Sequence, residues 1–306
     1  ATADGIDRFD LGPAWFWPDL QTRLDRLVQQ LGLTRFGQHE AGATLVERSP
    51  GEPALRVRGH AGVPPSMRLQ GGMGALVDAL QRRLDPARVV TGFQVQQLRI
   101  DGTDVAVTGT DASGGTAVWR ARHVLLAVPP RLAAQAIGFE PALPPDSTRR
   151  WLATPTWMAP HAKYVAVYPR PFWREQGLSG SARSYAGPMV ELHDASPAQG
   201  MGALFGFIGV PAATRQRVSA QAVQDLARAQ LVRLFGPQAA TPRHEHLMDW
   251  AQEPLTATAH DVRAGGAHPE PGLPTMAVTG PWAGCVAGVG SEWSVSFPGY
   301  LAGAVE

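Results

Sequence analysis

Several features that define common classes of protein are missing from the 306-residue sequence. Cys285 is its one cysteine, which excludes an internal disulfide and is typical of a reducing compartment, so we expect a cytoplasmic protein. The apolar runs are all shorter than the ~20 residues that a membrane-spanning helix needs. Basic and acidic residues nearly balance, at 27 and 26, and no block of one sign provides a phosphate-binding surface. We therefore expect neither a membrane nor a nucleic acid as a partner.

Lysine is almost absent as well. Of the 27 basic residues, 26 are arginine, and Lys163 is the one lysine. A compact ammonium group can lose its proton or bind one water, and a planar guanidinium does neither well. Either Lys163 performs a task that arginine cannot perform, or a coding bias has spared one lysine by chance.

The patterns that are present indicate an α/β or α+β fold. Glycine and proline are abundant, at 34 and 27 residues, which favours many tight turns over a helical bundle. The segment 124–128 is apolar at every position and is predicted to be a fully buried central strand. Apolar spacing predicts helices over 18–31, 71–84 and 219–235, and strands over 89–95, 97–101, 105–109, 117–121, 163–168 and 202–210.

Four segments, taken in order, carry a resemblance to a known family. They read FDLGPAW at 9–15, LQGGMGAL at 69–76, HAKYVAVYPRPFW at 161–173, and finally GSEW at 290–293 with GYLAGA at 299–304. In this order they resemble the flavin-containing amine oxidases, the group of monoamine, polyamine and L-amino-acid oxidases. The likeness is thin over 33–66 and 175–245.

The resemblance implies a Rossmann-like FAD-binding domain interleaved with a mixed-sheet substrate-binding domain. The FAD-binding domain would consist of residues 1–35, 66–145 and 248–306. The substrate-binding domain would consist of residues 36–65 and 146–247. No metal is expected in this family.

The resemblance also implies which residues hold the FAD. Gly299 would let the main chain approach the flavin ring, because a side chain there would block contact. Ala259 stands where some members carry the cysteine that bonds to flavin, so we expect non-covalent binding. The implied cofactor-binding residues are Gly12, Pro13, Ala14, Trp15, Gly71, Gly72, Val95, Trp250, Gly290, Ser291, Glu292, Gly299, Tyr300 and Leu301. The alternative for the last segment is a closely packed structural helix, and for the double glycine a simple helix-start turn.

Lys163 matches the family's lysine that holds a water at flavin N5, the atom that accepts hydride. Strand alternation places Lys163, Val165 and Val167 on one face and Tyr164, Ala166 and Tyr168 on the other. A lysine that shares a face with two valines is expected to be half-buried, and desolvation would lower its pKa. Such an amine could order a water or relay a proton during flavin reoxidation. The alternative is a lysine at a strand end that extends its amine into solvent.

Tyr300 matches one wall of the aromatic cage that steers an amine towards the flavin in monoamine oxidases. The opposite wall would lie in 249–260, with Trp250 as the family's tryptophan and His260 at about the second cage position. The monoamine oxidases have a tyrosine at that second position, so this histidine changes the cage. The alternative for His260 is a surface imidazole.

One element of the family pattern is missing. The family begins with a strand, a G-x-G-x-x-G turn and a helix that bind the cofactor's pyrophosphate, and this sequence has no such unit. We therefore expect a chain trimmed at both ends, with weakened FAD binding.

The resemblance implies an FAD-dependent oxidoreductase that takes hydride from an amine-like carbon–nitrogen bond to flavin N5 and returns the electrons to oxygen. Two alternatives remain open on the sequence. One is a flavin-free remnant that acts as a binding module, and the other is an FAD enzyme with a non-amine substrate.

Overall fold

The structure, a computed structural model, describes residues 8–59, 62–276 and 280–306. The helices are α1 Thr22–Gln30, α2 Gly74–Gln81, α3 Pro130–Ala136, α4 Pro145–Ala153, α5 Phe172–Glu175, α6 Ala212–Arg215, α7 Ala220–Phe235, α8 Ala259–Ala264 and α9 Leu301–Val305. The strands are β1 Arg35–Gly37, β2 Ala43–Glu47, β3 Leu55–Arg58, β4 Met67–Leu69, β5 Phe93–Asp101, β6 Asp104–Asp111, β7 Thr116–Ala121, β8 Val124–Leu126, β9 Gly138–Glu140, β10 Ala162–Tyr168, β11 Leu178–Ser184, β12 Met189–Asp194, β13 Gly202–Ile208, β14 His244–Asp249 and β15 Val286–Gly288. The fold class is therefore mixed α/β.

The chain divides into two compact units. Unit 1 contains Ala1–Arg82 and Pro160–Trp250, and unit 2 contains Arg83–Ala159 and Ala251–Glu306. Over the described ranges, none of the helices combines the length and the apolar character that crossing a bilayer requires. The predicted division into a cofactor part and a substrate part stays a prediction.

Unit 1 is built on a seven-stranded sheet. Its strand order is β14-β10-β13-β12-β11-β2-β3, and all neighbouring pairs are antiparallel except β11 with β2. Every residue of β10 is buried, as expected for a strand with a neighbour on each side. A small antiparallel pair, β1 with β4, completes the strands of this unit.

The two faces of β10 contact different apolar cores, as the predicted alternation requires. Tyr164, Ala166 and Tyr168 belong to the core that includes buried residues of α7. Val165 and Val167 belong to a second core with Phe205 and Ala14, on the face that also carries Lys163. Lys163 is 2% exposed, so the expectation of a half-buried side chain is wrong. β10 lies between β14 and β13, and the Lys163 side chain is enclosed on this face of the sheet instead of extending into solvent.

Helix α7 begins and ends as the sequence predicts. The Ser219 hydroxyl accepts a hydrogen bond from the Ala222 amide at 3.1 Å, which caps the first turn. Gly236 follows the last residue with a φ of 93°, a conformation that glycine adopts without a steric penalty.

The first two predicted helices are shorter in the structure than in the sequence pattern. Helix α1 buries Leu24 and Val28, whereas Leu20 lies before it and is exposed. Helix α2 buries Leu76 and Ala79. The apolar spacing that predicts a helix over 71–84 also puts Val77, Leu80 and Leu84 on its apolar face with Leu76, and this part of the prediction is wrong because all three of these side chains are exposed.

Unit 2 contains the predicted meander. Strands β5, β6 and β7 are consecutive antiparallel neighbours, and β9 pairs with β5 in parallel. The predicted strands 89–95 and 97–101 form one strand, β5, whose register shifts by one residue between Val95 and Gln97. The interruption in the sequence pattern thus corresponds to a β-bulge.

The apolar run 124–128 differs from its prediction. Within the described residues, β8 pairs with β15 alone, in parallel. Leu126 is buried, whereas Leu125 is 66% exposed and Val128 is 36% exposed. The prediction of a fully buried central strand is wrong for this reason: the strand has one neighbour and packs on one face.

Candidate functional site

Lys163 lies on β10 in unit 1, and its amine is enclosed by protein. The Nζ atom donates a hydrogen bond to the Gly12 carbonyl oxygen at 3.1 Å. The same atom lies 3.9 Å from the centre of the Phe205 ring. Burial and, to a smaller extent, the charge of Arg68 lower the pKa of Lys163 from 10.5 to about 7, against the opposing effect of the Asp10 carboxylate. At neutral pH the amine is therefore able both to accept and to donate a proton.

The loop 12–15 runs beside this amine. Ala14 is buried against Val165 and Val167, and the Trp15 ring contacts the rings of His193 and Phe205 at 5.0 and 5.5 Å between centres. Pro13, which precedes Ala14, is exposed. The loop is thus fixed to the sheet face that carries Lys163.

Trp250, which follows β14, is fixed to the same loop. Its indole Nε1 donates a hydrogen bond to the Leu11 carbonyl oxygen at 3.1 Å. A Cβ at Gly12 would lie 3.5 Å from the Trp250 ring, at ordinary contact distance. The structure therefore brings Gly12, Trp250 and Lys163 together within unit 1.

The double glycine before α2 is connected to the loop by Asp10. Gly71 and Gly72 have φ values of 79° and 70°, which favour glycine. Asp10 Oδ1 accepts a hydrogen bond from the Met73 amide at 2.7 Å. A Cβ on Gly72 would approach that carboxylate oxygen to 2.7 Å, so the close contact requires a glycine.

Arg68 completes a buried charged group in unit 1. It is 4% exposed, and its Nη1 donates to the Ser196 carbonyl oxygen at 2.9 Å. Arg68 Nε and Asp10 Oδ2 are both buried without a hydrogen-bond partner among the described residues. Burial raises the pKa of Asp10, and the charges of Arg68 and Lys163 lower it. An unpartnered donor and an unpartnered acceptor are thus available to a polar ligand or to water.

In unit 2, the two predicted terminal motifs meet. Gly290 precedes the single 3₁₀ turn Ser291–Trp293, and the Ser291 carbonyl oxygen accepts a hydrogen bond from the Gly299 amide at 3.2 Å. Glu292 is 7% exposed. Burial raises the pKa of this carboxyl, and hydrogen bonds from its own backbone amide and from Ser291 oppose the shift.

Tyr300 follows in an aromatic group within unit 2. Its ring centre lies 5.1 Å from that of Trp157 and 5.3 Å from that of His268. Gly299 has a φ of 79°, and a Cβ there would lie 3.1 Å from Pro269. Glycine at 299 is therefore explained by the backbone conformation and by the contact with Pro269. Tyr300 is the residue before α9, and Leu301 is its first residue.

Val95 and His260 complete the predicted set. Val95 is half-buried at the bulge of β5. His260 is exposed near the start of α8. The histidine whose ring packs against Tyr300 is His268. The described residues contain no group of histidine, cysteine and acidic side chains able to hold a metal ion.

Sequence reasoning missed four residues of these two groups: Asp10, Arg68, Trp157 and His268. Asp10 lies inside the FDLGPAW motif, where an acid beside a loop of small residues was a usable signal. Arg68 immediately precedes LQGGMGAL, but 26 arginines make any one of them inconspicuous. Trp157 and His268 lie outside all four motifs, so only the folded chain identifies them.

A family model and two relatives indicate the same family for this chain. The family model for flavin containing amine oxidoreductases matches residues 51–306. The chain is 27% identical over 210 residues to a protein named probable flavin-containing monoamine oxidase A of Dictyostelium discoideum, covering 67% of this chain and 44% of the relative. It is 29% identical over 197 residues to an L-amino acid dehydrogenase of Synechocystis, covering 62% and 39%. The chain therefore spans less than half the length of these curated relatives.

The match to a solved structure covers a larger share of both chains. Putrescine oxidase bound to putrescine superposes with a TM-score of 0.77 at 20% identity, covering 98% of this chain and 88% of that one. At this identity the likeness shows the fold alone.

Proposed function

Since the chain belongs to the family of flavin-containing amine oxidoreductases, we propose that it acts in the flavin-dependent oxidation of a carbon–nitrogen bond in a small amine. The observation that carries this proposal is the buried Lys163 amine, held by Gly12 and with a pKa of about 7. A fully buried lysine without an ion-pair contact costs stability, so a functional requirement accounts for it.

The side chains present are compatible with a flavin nucleotide. Asp10 Oδ2 is a buried acceptor, and Arg68 Nε and Trp293 Nε1 are buried donors, all without partners among the described residues. The ribityl hydroxyls and pyrophosphate of FAD are groups that such donors and acceptors bind. Gly72 also supports a flavin site, because the absence of a side chain there lets the Asp10 carboxylate lie against the backbone.

The residues that we propose to hold the flavin nucleotide are Gly12, Pro13, Ala14, Trp15, Gly71, Gly72, Val95, Trp250, Gly290, Ser291, Glu292, Gly299, Tyr300 and Leu301. We propose non-covalent binding, because Ala259 offers no thiol. Asp10 and Arg68 join this set on the geometry described above.

When bound, FAD would supply a two-electron oxidation: the carbon next to the amine nitrogen would lose a hydride and the nitrogen a proton, which gives an imine, and oxygen would take up the two electrons and two protons to form hydrogen peroxide. Lys163 would hold one water through Nζ, and at a pKa of about 7 it would exchange a proton with that water. Tyr300 and the rings beside it would present an apolar, electron-rich wall to an amine. His260, which the resemblance places at about the second cage position, is exposed on α8.

The test is a titration of the purified chain with FAD, followed by visible absorbance and by quenching of flavin fluorescence. We expect saturable binding, then bleaching of the bound flavin by putrescine or cyclohexylamine without oxygen, and peroxide when air is admitted. A chain that is colourless after incubation with excess FAD and removal of the unbound cofactor contradicts the proposal and favours a flavin-free binding module. Bound flavin that no amine bleaches contradicts the proposed substrate class.

The acceptor of the electrons has a second candidate. One relative is named a dehydrogenase, and such an enzyme passes its electrons to an acceptor other than oxygen. Rapid bleaching by an amine with no peroxide in air, but with reduction of an added quinone, would favour that candidate.

A further inference from the structure

Unit 1 contains a cavity that shares no residue with the proposed flavin site. It has a volume of about 990 Å³ and lies between the loop after β1, strand β3, helix α5 and the loop after β12. A Cβ on Gly59 would lie 2.5 Å from the Gly42 carbonyl oxygen, so the backbones of two wall segments are in direct contact. Two segments of the cavity wall are therefore packed against each other.

Guanidinium groups dominate the charge of this cavity. Arg56 and Arg58 are two apart on β3 and so point to the same side of the strand, and Arg174 contributes from α5. Arg174 Nε donates to the buried Asp194 carboxylate at 2.8 Å, whereas no acidic side chain of the described ranges pairs with Arg56 or Arg58. Glu40, the acid of the lining, accepts the Gly62 amide at 2.7 Å. The net charge favours an anion, and guanidinium binds a carboxylate with two parallel hydrogen bonds.

Two buried acceptors line the same cavity. Gln38 Oε1 and His39 Nε2 are buried without a hydrogen-bond partner in the described residues. The Gln38 amide nitrogen donates to the Asp194 carbonyl oxygen at 2.7 Å, which fixes Oε1 as the free acceptor. Burial and the charge of Arg174 lower the pKa of His39, so the ring is neutral at pH 7. Its hydrogen bond with the Ala41 backbone uses Nδ1, since Nε2 has none, and Nε2 is left with a lone pair.

The ligand that satisfies both features carries a carboxylate and a donor. An ammonium donor would be repelled by the arginines that attract the carboxylate, whereas a hydroxyl donor is neutral. We propose that this cavity binds a small hydroxycarboxylate, with its carboxylate on Arg58 and Arg174 and its hydroxyl donating to Gln38 or His39.

Isothermal titration with L-malate, in low-salt buffer without FAD, tests this site separately from the proposed catalysis. We expect saturable binding, and we expect succinate, which differs by the hydroxyl, to bind about tenfold more weakly because it leaves the buried acceptors unpaired. L-Aspartate is expected to bind more weakly than L-malate because of its ammonium group. Absence of binding by L-malate overturns the proposal, as does equal binding of inorganic phosphate, which would indicate a general anion surface.

Variants locate the site. Arg58→Gln, at an exposed position, is expected to raise the Kd for L-malate about tenfold by removing a charge-assisted pair. Arg58→Lys is expected to restore part of the affinity. Arg48→Gln is the matched control, since Arg48 is exposed and lies outside the cavity lining. Arg56→Gln provides a second lining variant should Arg58→Gln lower the melting temperature. Equal Kd values for the lining and control variants overturn the assignment.

Discussion

The Lys163 amine lies 3.1 Å from the carbonyl oxygen of Gly12, and this contact joins strand β10 of unit 1 to the loop before α1. A neutral amine can donate this bond and keep a lone pair for a further partner, whereas a charged ammonium would need more acceptors than one carbonyl supplies. The Phe205 ring on the other side offers only its π-face. This environment explains why the pKa of the amine is lowered.

The single lysine allows its pKa to be measured without ambiguity. Protein labelled with [ε-¹³C]lysine gives one side-chain signal, from Lys163. We expect its chemical shift to titrate with a midpoint near 7, because burial disfavours the charged form. A midpoint close to the ordinary lysine value contradicts the burial of the amine.

Replacement of Asp10 should move this midpoint. Asp10→Asn keeps an oxygen for the Met73 amide but removes the negative charge that stabilises the ammonium form. The pKa of Lys163 should therefore decrease below its wild-type value. Asp19→Asn, at an exposed position before α1, removes an equal charge and should leave the midpoint unchanged.

The buried lysine should also make stability depend on pH. Between the folded pKa of about 7 and the unfolded value of 10.5, the unfolded chain holds a proton that the folded chain has lost. The free energy of unfolding therefore rises with pH across this window on account of Lys163. Lys163→Met should stabilise the chain most at pH 7, and its advantage should shrink by about 1.4 kcal/mol per pH unit towards pH 10.

Urea unfolding of both proteins at pH 7, 8.5 and 10 measures this difference. The lost hydrogen bond to Gly12 is a constant offset and does not change the slope. An advantage of Lys163→Met that is the same at all three pH values would show that the lysine is charged in the folded state.

The effect of a side chain at Gly72, beside Asp10, can be distinguished from its effect at Gly32, a glycine in a simple turn. Gly72→Ala and Gly32→Ala introduce a side chain at nearly the same φ, 70° and 68°, and each should cost about 1 kcal/mol of backbone strain. Only at Gly72 does the new Cβ approach a carboxylate, whereas the space at Gly32 is open. We expect Gly72→Ala to lose more stability and to weaken FAD binding, with FAD affinity unchanged in Gly32→Ala. Equal effects in both variants would contradict a role for the Asp10 contact.

Local patterns predicted several regular elements of each unit, among them β10 and α7 in unit 1 and the meander of β5, β6 and β7 in unit 2. The alternation in 163–168 gave the two faces of β10 because a strand's side chains alternate whatever lies around them. The serine and glycine that flank α7 act within a single helical turn, so their effect is also local. The α/β fold class follows from such elements.

Long-range packing limited the remaining predictions. Val77 and Leu80 fit a helical apolar pattern, but the neighbours present cover only the Leu76 and Ala79 side of α2. Leu125 is exposed because the number of strands beside β8 cannot be deduced from its own composition. The resemblance places His260 at about the second cage position, opposite Tyr300, and could not indicate that His268 packs against the Tyr300 ring, because that contact depends on the folded chain.

The most direct test of the central claim is the reaction of reduced flavin with oxygen, measured by stopped flow in the FAD-loaded chain and in Lys163→Met. If Lys163 holds the water and exchanges its proton at flavin, the variant should reoxidise at least about tenfold more slowly, consistent with the loss of a positioned proton-transfer group. Its FAD affinity should be nearly unchanged. Identical reoxidation rates in the two proteins, at equal flavin occupancy, would contradict the account.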